Sequence, residues 1–195
     1  MTMRMSRPVF RYVAAAVFVA LLQTGVLGYQ IWQHAAILRD GEDVLLRSLP
    51  VDPRDLLRGE YVTLTYDVST IETARLVGPR PEDTGPQRLW VRLGKQPDGF
   101  WTVQEASFEK LPSVDRTVIM RTQPFTYIAD PTSEYSLDVR YGLERFYLPE
   151  GEGKALEQAR NDAQVSVVVS VADDGSAQIR RLLVDGKPVF EEPLY

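Results

Sequence analysis

Two patterns of apolar positions divide the chain. Near the N-terminus the run VAAAVFVALL (13–22) lies inside an uncharged stretch from Tyr12 to Gln33. A helix of that length spans ~30 Å of hydrocarbon, and apolarity on every side suits a membrane span better than a packed surface helix. From residue 43 onward the pattern changes to strict alternation. Val62, Leu64, Tyr66 and Val68 fall on one side of an expected strand from Tyr61 to Val68, with Thr63, Thr65 and Asp67 on the other. Two further stretches read as hairpins: LWVRL, turn QPDG, FWTVQ; and VSVVVSV, turn ADDG, AQIRRLL.

The alternating part repeats itself. Val44 to Pro50 matches Val118 to Pro124, both ending in an R-[ST]-x-P string, and Asp52-Pro53 answers Asp130-Pro131. Glu60-Tyr61 answers Glu134-Tyr135, and Tyr66 answers Tyr141 after one inserted residue. Farther on, Leu89, Val91 and Leu93 align with Val165, Val167 and Val169, and Asp98-Gly99 with Asp174-Gly175. Order and near-constant spacing indicate two similar units of about 75 residues, 43–108 and 117–185. Each reads as a strand ended by proline, an Asp-Pro loop, a second strand, a variable connection and a closing hairpin. The connection is Pro/Gly-rich at 78–86 but contains good helix formers at 152–162. The expected fold is therefore mainly β: a transmembrane helix, then an eight-stranded sandwich or partly closed barrel built from two units, with a short helix in the second. Residues 1–33 form a cytoplasmic tip and anchor, 34–42 a connector, and 43–195 one extracytoplasmic β domain.

Charge sets the orientation. Arg4, Arg7 and Arg11 precede the apolar stretch, and Asp40, Glu42 and Asp43 follow it. By the positive-inside rule the N-terminus stays in the cytoplasm and the domain is exported, on a single-pass membrane protein. Tyr12, Tyr29 and Trp32 sit where interfacial aromatics are found. A cleaved leader is the competing reading, with a small-residue site ending at Gly28, and a buried core helix is the other. Either way of export leaves the domain outside. No acid lies in 1–33, so a chain of net charge −5 carries −8 in the remainder, unsuited to phosphate backbones and nucleic acid.

The chain has no cysteine, and its one histidine, His34, lies at the end of the apolar stretch. Disulfides, thiolate metal sites, Ser-His-Asp triads and histidine zinc sites are thereby removed from the domain. The expectation is no cofactor, no metal site and no catalytic set.

The stretch LLRGEYVTLTY (56–66) resembles the signature of the GDYXXLXY family of membrane-anchored proteins: Gly59, Tyr61, Leu64 and Tyr66 match, and Glu60 stands where the family has aspartate. PVDPRD (50–55) and RYGLERFYLPEGEG (140–153) also resemble that family's surroundings. The resemblance implies a bacterial membrane protein of unassigned activity, often encoded beside multi-pass membrane proteins. Gly59 can take φ > 0 at a turn, Leu64 and Tyr66 point to the core, and Glu60 sits at the strand's mouth. Arg58, Gly59, Glu60, Tyr61, Leu64 and Tyr66, with Tyr141, Glu144 and Arg145 from the second unit, are the candidate binding residues.

Other chemistry is weaker. Asp83-Thr84-Gly85 spells an aspartic-protease triplet, but the second unit has no counterpart to pair with it. Ser48, Pro50 and Gly59-Glu60 are reminiscent of signal peptidases that use serine with lysine, but Lys95 lies just before a turn and no local signature marks it as buried. Trp90 and Trp101 could stack on sugar, or pack across strands. The sequence favours a membrane-anchored binding or scaffold protein, an accessory subunit of an envelope complex with a multi-pass membrane partner and the cleft between the two units as contact surface. A Ser/Lys hydrolase and a glycan- or lipid-binding module are the alternatives, and the identity of any small ligand is open.

Overall fold

The computed structural model of the protein describes residues 7–49, 61–129, 136–147 and 165–193. One α-helix, α1 (Arg7–Asp40), opens the chain. Fourteen strands follow among the described residues: β1 (Glu42–Leu49), β2 (Tyr61–Thr63), β3 (Thr65–Tyr66), β4 (Thr70–Glu72), β5 (Gly85–Gln87), β6 (Trp90–Lys95), β7 (Trp101–Ser107), β8 (Thr117–Arg121), β9 (Phe125–Tyr127), β10 (Ser136–Asp138), β11 (Arg145–Tyr147), β12 (Val165–Val171), β13 (Ala177–Val184) and β14 (Lys187–Glu191).

The helix is long and apolar enough to cross a membrane, with a mean hydropathy of 1.7. Its large apolar side chains, among them Phe18, Leu21, Leu27 and Trp32, are exposed around the whole circumference, as a lipid-facing helix requires. Residues 34–40, expected as connector, continue the helix, and β1 starts two residues later. From Ile37 onward the chain belongs to the compact β unit. There Leu38 is buried, and the Ile37 carbonyl accepts hydrogen bonds from the Gly41 amide and the Ser170 hydroxyl.

The β part is mainly open sheet, and no barrel closes among the described residues. The expectation of eight strands undercounts because several extended stretches change partners midway. The stretch expected as one strand from Tyr61 to Val68 is three pieces: β2 pairs with β11, β3 pairs with β1, and Asp67–Ser69 turns as a short 3-10 segment. Its alternation survives the break, since Leu64, Tyr66 and Val68 are all buried. A further hairpin, β13–β14, turns at Asp185-Gly186. The expected helix at 152–162 lies outside the described residues.

Two sheets carry most of the structure. One has five strands in the order β14-β13-β12-β1-β3, the other three in the order β7-β6-β8. Their centres are superimposable in register. In one, Arg47, Leu46, Leu45 and Val44 of β1 face Ser166, Val167, Val168 and Val169 of β12. In the other, Arg121, Met120, Ile119 and Val118 of β8 face Trp90, Val91, Arg92 and Leu93 of β6. Both hairpins carry their bulge at the same place, between Val168 and Val169 in one and between Arg92 and Leu93 in the other. Both close alike: Gln96 N–H donates to Phe100 C=O and Gly99 N–H to Gln96 C=O, as Ala172 does to Ser176 and Gly175 to Ala172. The first strand of each half thus joins the hairpin of the other half.

This exchange explains the R-[ST]-x-P strings. Arg47 reaches Asp98 at 3.3 Å and Arg121 reaches Asp174 at 4.0 Å, so each arginine ties its strand to the Asp-Gly turn of its own half. The next residue ends the strand indoors. Thr122 accepts from the Leu89 amide, while Ser48 is buried with its hydroxyl unpartnered among the described residues. The core joins both halves: Val44, Leu46, Val167, Val169 and Leu182 from one sheet, Val91, Leu93, Ala106 and Met120 from the other, with Leu64, Tyr66, Ile71, Val139 and Tyr141. Strand β12 is buried along its whole length, which accounts for the near-continuous run VSVVVSV.

Candidate functional site

The second strand of each half runs into the other half. Register pairs Thr63, Val62 and Tyr61 with Arg145, Phe146 and Tyr147 on one side, and Asp138, Leu137 and Ser136 with Thr70, Ile71 and Glu72 on the other. Between them the Leu64 amide donates to the Glu144 carbonyl, and the Val139 amide to the Ser69 carbonyl. Each contact is repeated with the two halves interchanged, which is what an internal two-fold axis produces. By this register Tyr61 corresponds to Ser136, so the inserted residue falls before Tyr61 rather than between Tyr61 and Tyr66.

The signature tyrosine lies at that axis. Tyr66 is fully buried and donates its hydroxyl to the Leu143 carbonyl at 2.7 Å. Tyr141 is buried too and donates to the Val68 carbonyl at 2.8 Å. A buried phenol needs such a partner, and here each tyrosine finds it two residues past the other. Burial raises both phenol pKa values above their usual range, with the Glu144 carboxylate adding to the effect. They are neutral donors at every physiological pH.

Glu144 is committed to the backbone. Its two carboxylate oxygens accept from the Tyr141 amide at 2.6 Å and the Gly142 amide at 3.0 Å. That fixes a turn in which Gly142 takes φ +88°, a conformation that side chains rarely adopt. Asp67, which follows the signature tyrosine, has its pKa raised by burial, with backbone hydrogen bonds and Arg47 pulling the other way.

Around the axis lies a groove of about 730 Å³. Thr63, Thr65, Ser69 and Thr70 line it from the first half; Asp138, Arg140, Glu144 and Arg145 from the second; Leu64 and Val139 lie on its floor. The register makes these residues counterparts: Thr63 of Asp138, Leu64 of Val139, Ser69 of Glu144, Thr70 of Arg145, and Thr65 of Arg140. A symmetric backbone therefore carries an asymmetric lining, hydroxyls on one wall and charges on the other.

Of the candidate residues, Arg58, Gly59 and Glu60 lie outside the described residues. Tyr61 pairs through its backbone in β2. Leu64, Tyr66 and Tyr141 are core, so their part in a site is to shape it from beneath. Glu144 and Arg145 line the groove. Sequence reading missed Thr63, Thr65, Ser69, Thr70, Asp138 and Arg140. The signal existed, because the polar face of the Tyr61–Val68 stretch, carried one repeat onward, lands on Asp138 and Arg140.

The remaining chemistry separates. Ser48 is 1% exposed, with no base bonded to its hydroxyl, and Lys95 is exposed at the end of β6, so the pair does not resemble an activated nucleophile. The Asp83-Thr84-Gly85 triplet leads into β5, where Thr84 accepts from the Ala129 amide. Trp101 is buried, and Trp90 lies between Lys110 and Arg121, 5.6 and 5.8 Å from its ring. Among the described residues no group of three or more His, Cys, Asp or Glu side chains is arranged to hold a metal ion.

No curated protein and no solved structure matches the chain. The model of one family, described as GDYXXLXY protein, matches residues 23–182, a stretch that takes in the end of α1 and nearly the whole β domain. The residues that join the halves and frame the groove lie within it, and the chain belongs to the GDYXXLXY family.

Proposed function

We propose that this is a membrane-tethered binding subunit: the apolar helix anchors it in a bacterial inner membrane with the N-terminus inside, and the β domain acts in the periplasm as an accessory component beside a multi-pass membrane protein. The reading rests on one observation above others, the groove on the internal two-fold axis, framed by the signature strand and lined by unlike walls. A concave, polar site held by a rigid scaffold is the form of a recognition surface. The helix is the second support, since its exposed apolar surface needs lipid around it. The register between halves also favours descent from a duplicated unit, 43–108 and 117–185.

The absence of cysteine makes topology easy to test. A single Val189→Cys, exposed on β14, should react with a membrane-impermeant maleimide added to intact spheroplasts, while a cysteine at position 2 should react only after lysis. The reverse pattern would defeat the orientation. Native-membrane crosslinking should capture the same multi-pass protein with wild type but not with Thr70→Trp, which places an indole in the groove. Equal capture by both would remove the groove from the reading.

A further inference from the structure

The lining of the groove is more specific than its shape. Both of its carboxylates are occupied: Asp138 accepts from the Thr70 hydroxyl at 2.9 Å, and Glu144 caps two backbone amides. Arg140 is different. It lines the groove and is exposed, and it makes no ion pair or side-chain hydrogen bond among the described residues. Six other arginines of the described β domain are ion-paired, Arg47 to Asp98, Arg75 to Glu72, Arg92 to Glu105, Arg121 to Asp174, and Arg180 and Arg181 to Asp43, whereas Arg88 and Arg116, also without an ion pair among the described residues, lie outside the groove. In a domain of net charge −8, a guanidinium left open inside a concavity while carboxylates beside it are bound elsewhere is a device for a planar anion. Guanidinium presents parallel N–H donors that match a carboxylate or phosphate two at a time.

The opposite wall complements it. Thr65, the symmetry counterpart of Arg140, is half-buried, and its hydroxyl has no partner among the described residues. Thr70 lines the same groove, its hydroxyl donating to Asp138 and leaving its oxygen to accept, so the groove offers a hydroxyl donor and acceptors besides the cation. Among the described residues that line it none is aromatic, and what they offer a ligand is charge and hydrogen bonds. A volume of about 730 Å³ exceeds what a bare phosphate or carboxylate fills, leaving room for a hydroxylated body of one or two sugar rings.

We infer that the groove binds a small polyhydroxylated molecule bearing an oxyanion, a sugar acid or sugar phosphate, with Arg140 gripping the oxyanion and Thr65 and Thr70 hydrogen-bonding the hydroxyls. The inference rests on the groove being the recognition surface proposed above, and it names what that surface reads.

Isothermal titration calorimetry of the full chain in detergent micelles tests it with four probes: glucuronate, glucose 6-phosphate, inorganic phosphate and glucose. The expected result is saturable binding of glucuronate or glucose 6-phosphate, with glucose and inorganic phosphate each weaker by tenfold or more. Which of the two sugar anions binds tighter tells carboxylate from phosphate. Arg140→Ala should weaken the better one at least tenfold, Arg140→Lys should fall between, and Arg88→Ala, an exposed arginine outside the groove, should bind like wild type. Unchanged thermal melts of the variants show that folding is not the cause. Equal binding of glucose, equal loss in Arg88→Ala, no effect of Arg140→Ala, or no saturable binding of either sugar anion would each overturn the inference. Partner capture from native membranes that persists in Arg140→Ala, alongside such a negative result, would leave the tethered-subunit reading standing and remove only the ligand class.

Discussion

Changing Tyr66 to Phe deletes one oxygen and nothing else. The ring keeps its place in the core, but the Leu143 carbonyl, which accepts from Tyr66 at 2.7 Å, loses its partner in a buried setting. Leaving a buried acceptor unsatisfied costs about 1–3 kcal/mol. With a urea m-value on the order of 2 kcal/mol/M, the midpoint should fall by about 0.5–1.5 M. Tyr141→Phe strips the Val68 carbonyl in the equivalent way and should cost a similar amount. Intrinsic fluorescence of Trp90 and Trp101 in the purified full chain follows the transition. The two phenols should also make the fold alkali-sensitive. Their folded pKa values lie above the ordinary value of about 10, so above that pH the unfolded chain releases protons that the folded chain keeps, and stability falls as pH rises. The double Phe variant should lose much of this slope. An unchanged midpoint in either variant, or a large effect of one with none from the other, would refute the claim that the tyrosines join the halves as equivalent partners.

Two further predictions come from single positions. Gly99 and Gly175 occupy the same turn in the two hairpins with φ of +89° and +80°. An alanine at Gly99 meets open space and should cost only the backbone term, about 1–2 kcal/mol. At Gly175 the new Cβ would fall 3.0 Å from the Arg121 backbone nitrogen and 3.1 Å from the Trp90 ring, so Gly175→Ala should be clearly the more damaging in thermal melts. Asp67 has a raised pKa because of burial, so ionisation opposes folding. Wild-type stability should therefore rise as pH falls through the folded pKa toward the unfolded value of about 4. Asp67→Asn should be the more stable protein at neutral pH, with the gap closing in acid; a gap that is constant with pH would contradict this.

Much of this fold is legible in the residues because the chain says most things twice. The Asp-Gly turns, the R-[ST]-x-P strings and the alternation around Leu64 and Tyr66 each locate an element correctly, since turn chemistry and period-two burial are local physics. What local physics does not contain is pairing. Nothing in Val44–Leu49 tells that it will join the hairpin of the opposite half, or that Tyr61–Val68 will change partners at Leu64, because those choices depend on residues about 75 positions away. The site suffered most from this. The signature drew attention to Tyr66 and Tyr141, whose alternation already marked them as core, while the groove is lined by the polar positions in between. Arg140 looked unremarkable until the axis set it opposite Thr65.

The central claim is that the groove on the internal two-fold axis is the recognition surface of a tethered subunit. Hydroxyl-radical footprinting of the full chain, compared between native membrane vesicles and purified protein in detergent, tests it most directly. Protection gained in the membranes should concentrate on residues 63–70 and 138–145, leaving Val77, Val114 and Val189 as reactive as in the purified chain. Protection of those three valines with the groove segments unchanged would contradict the account.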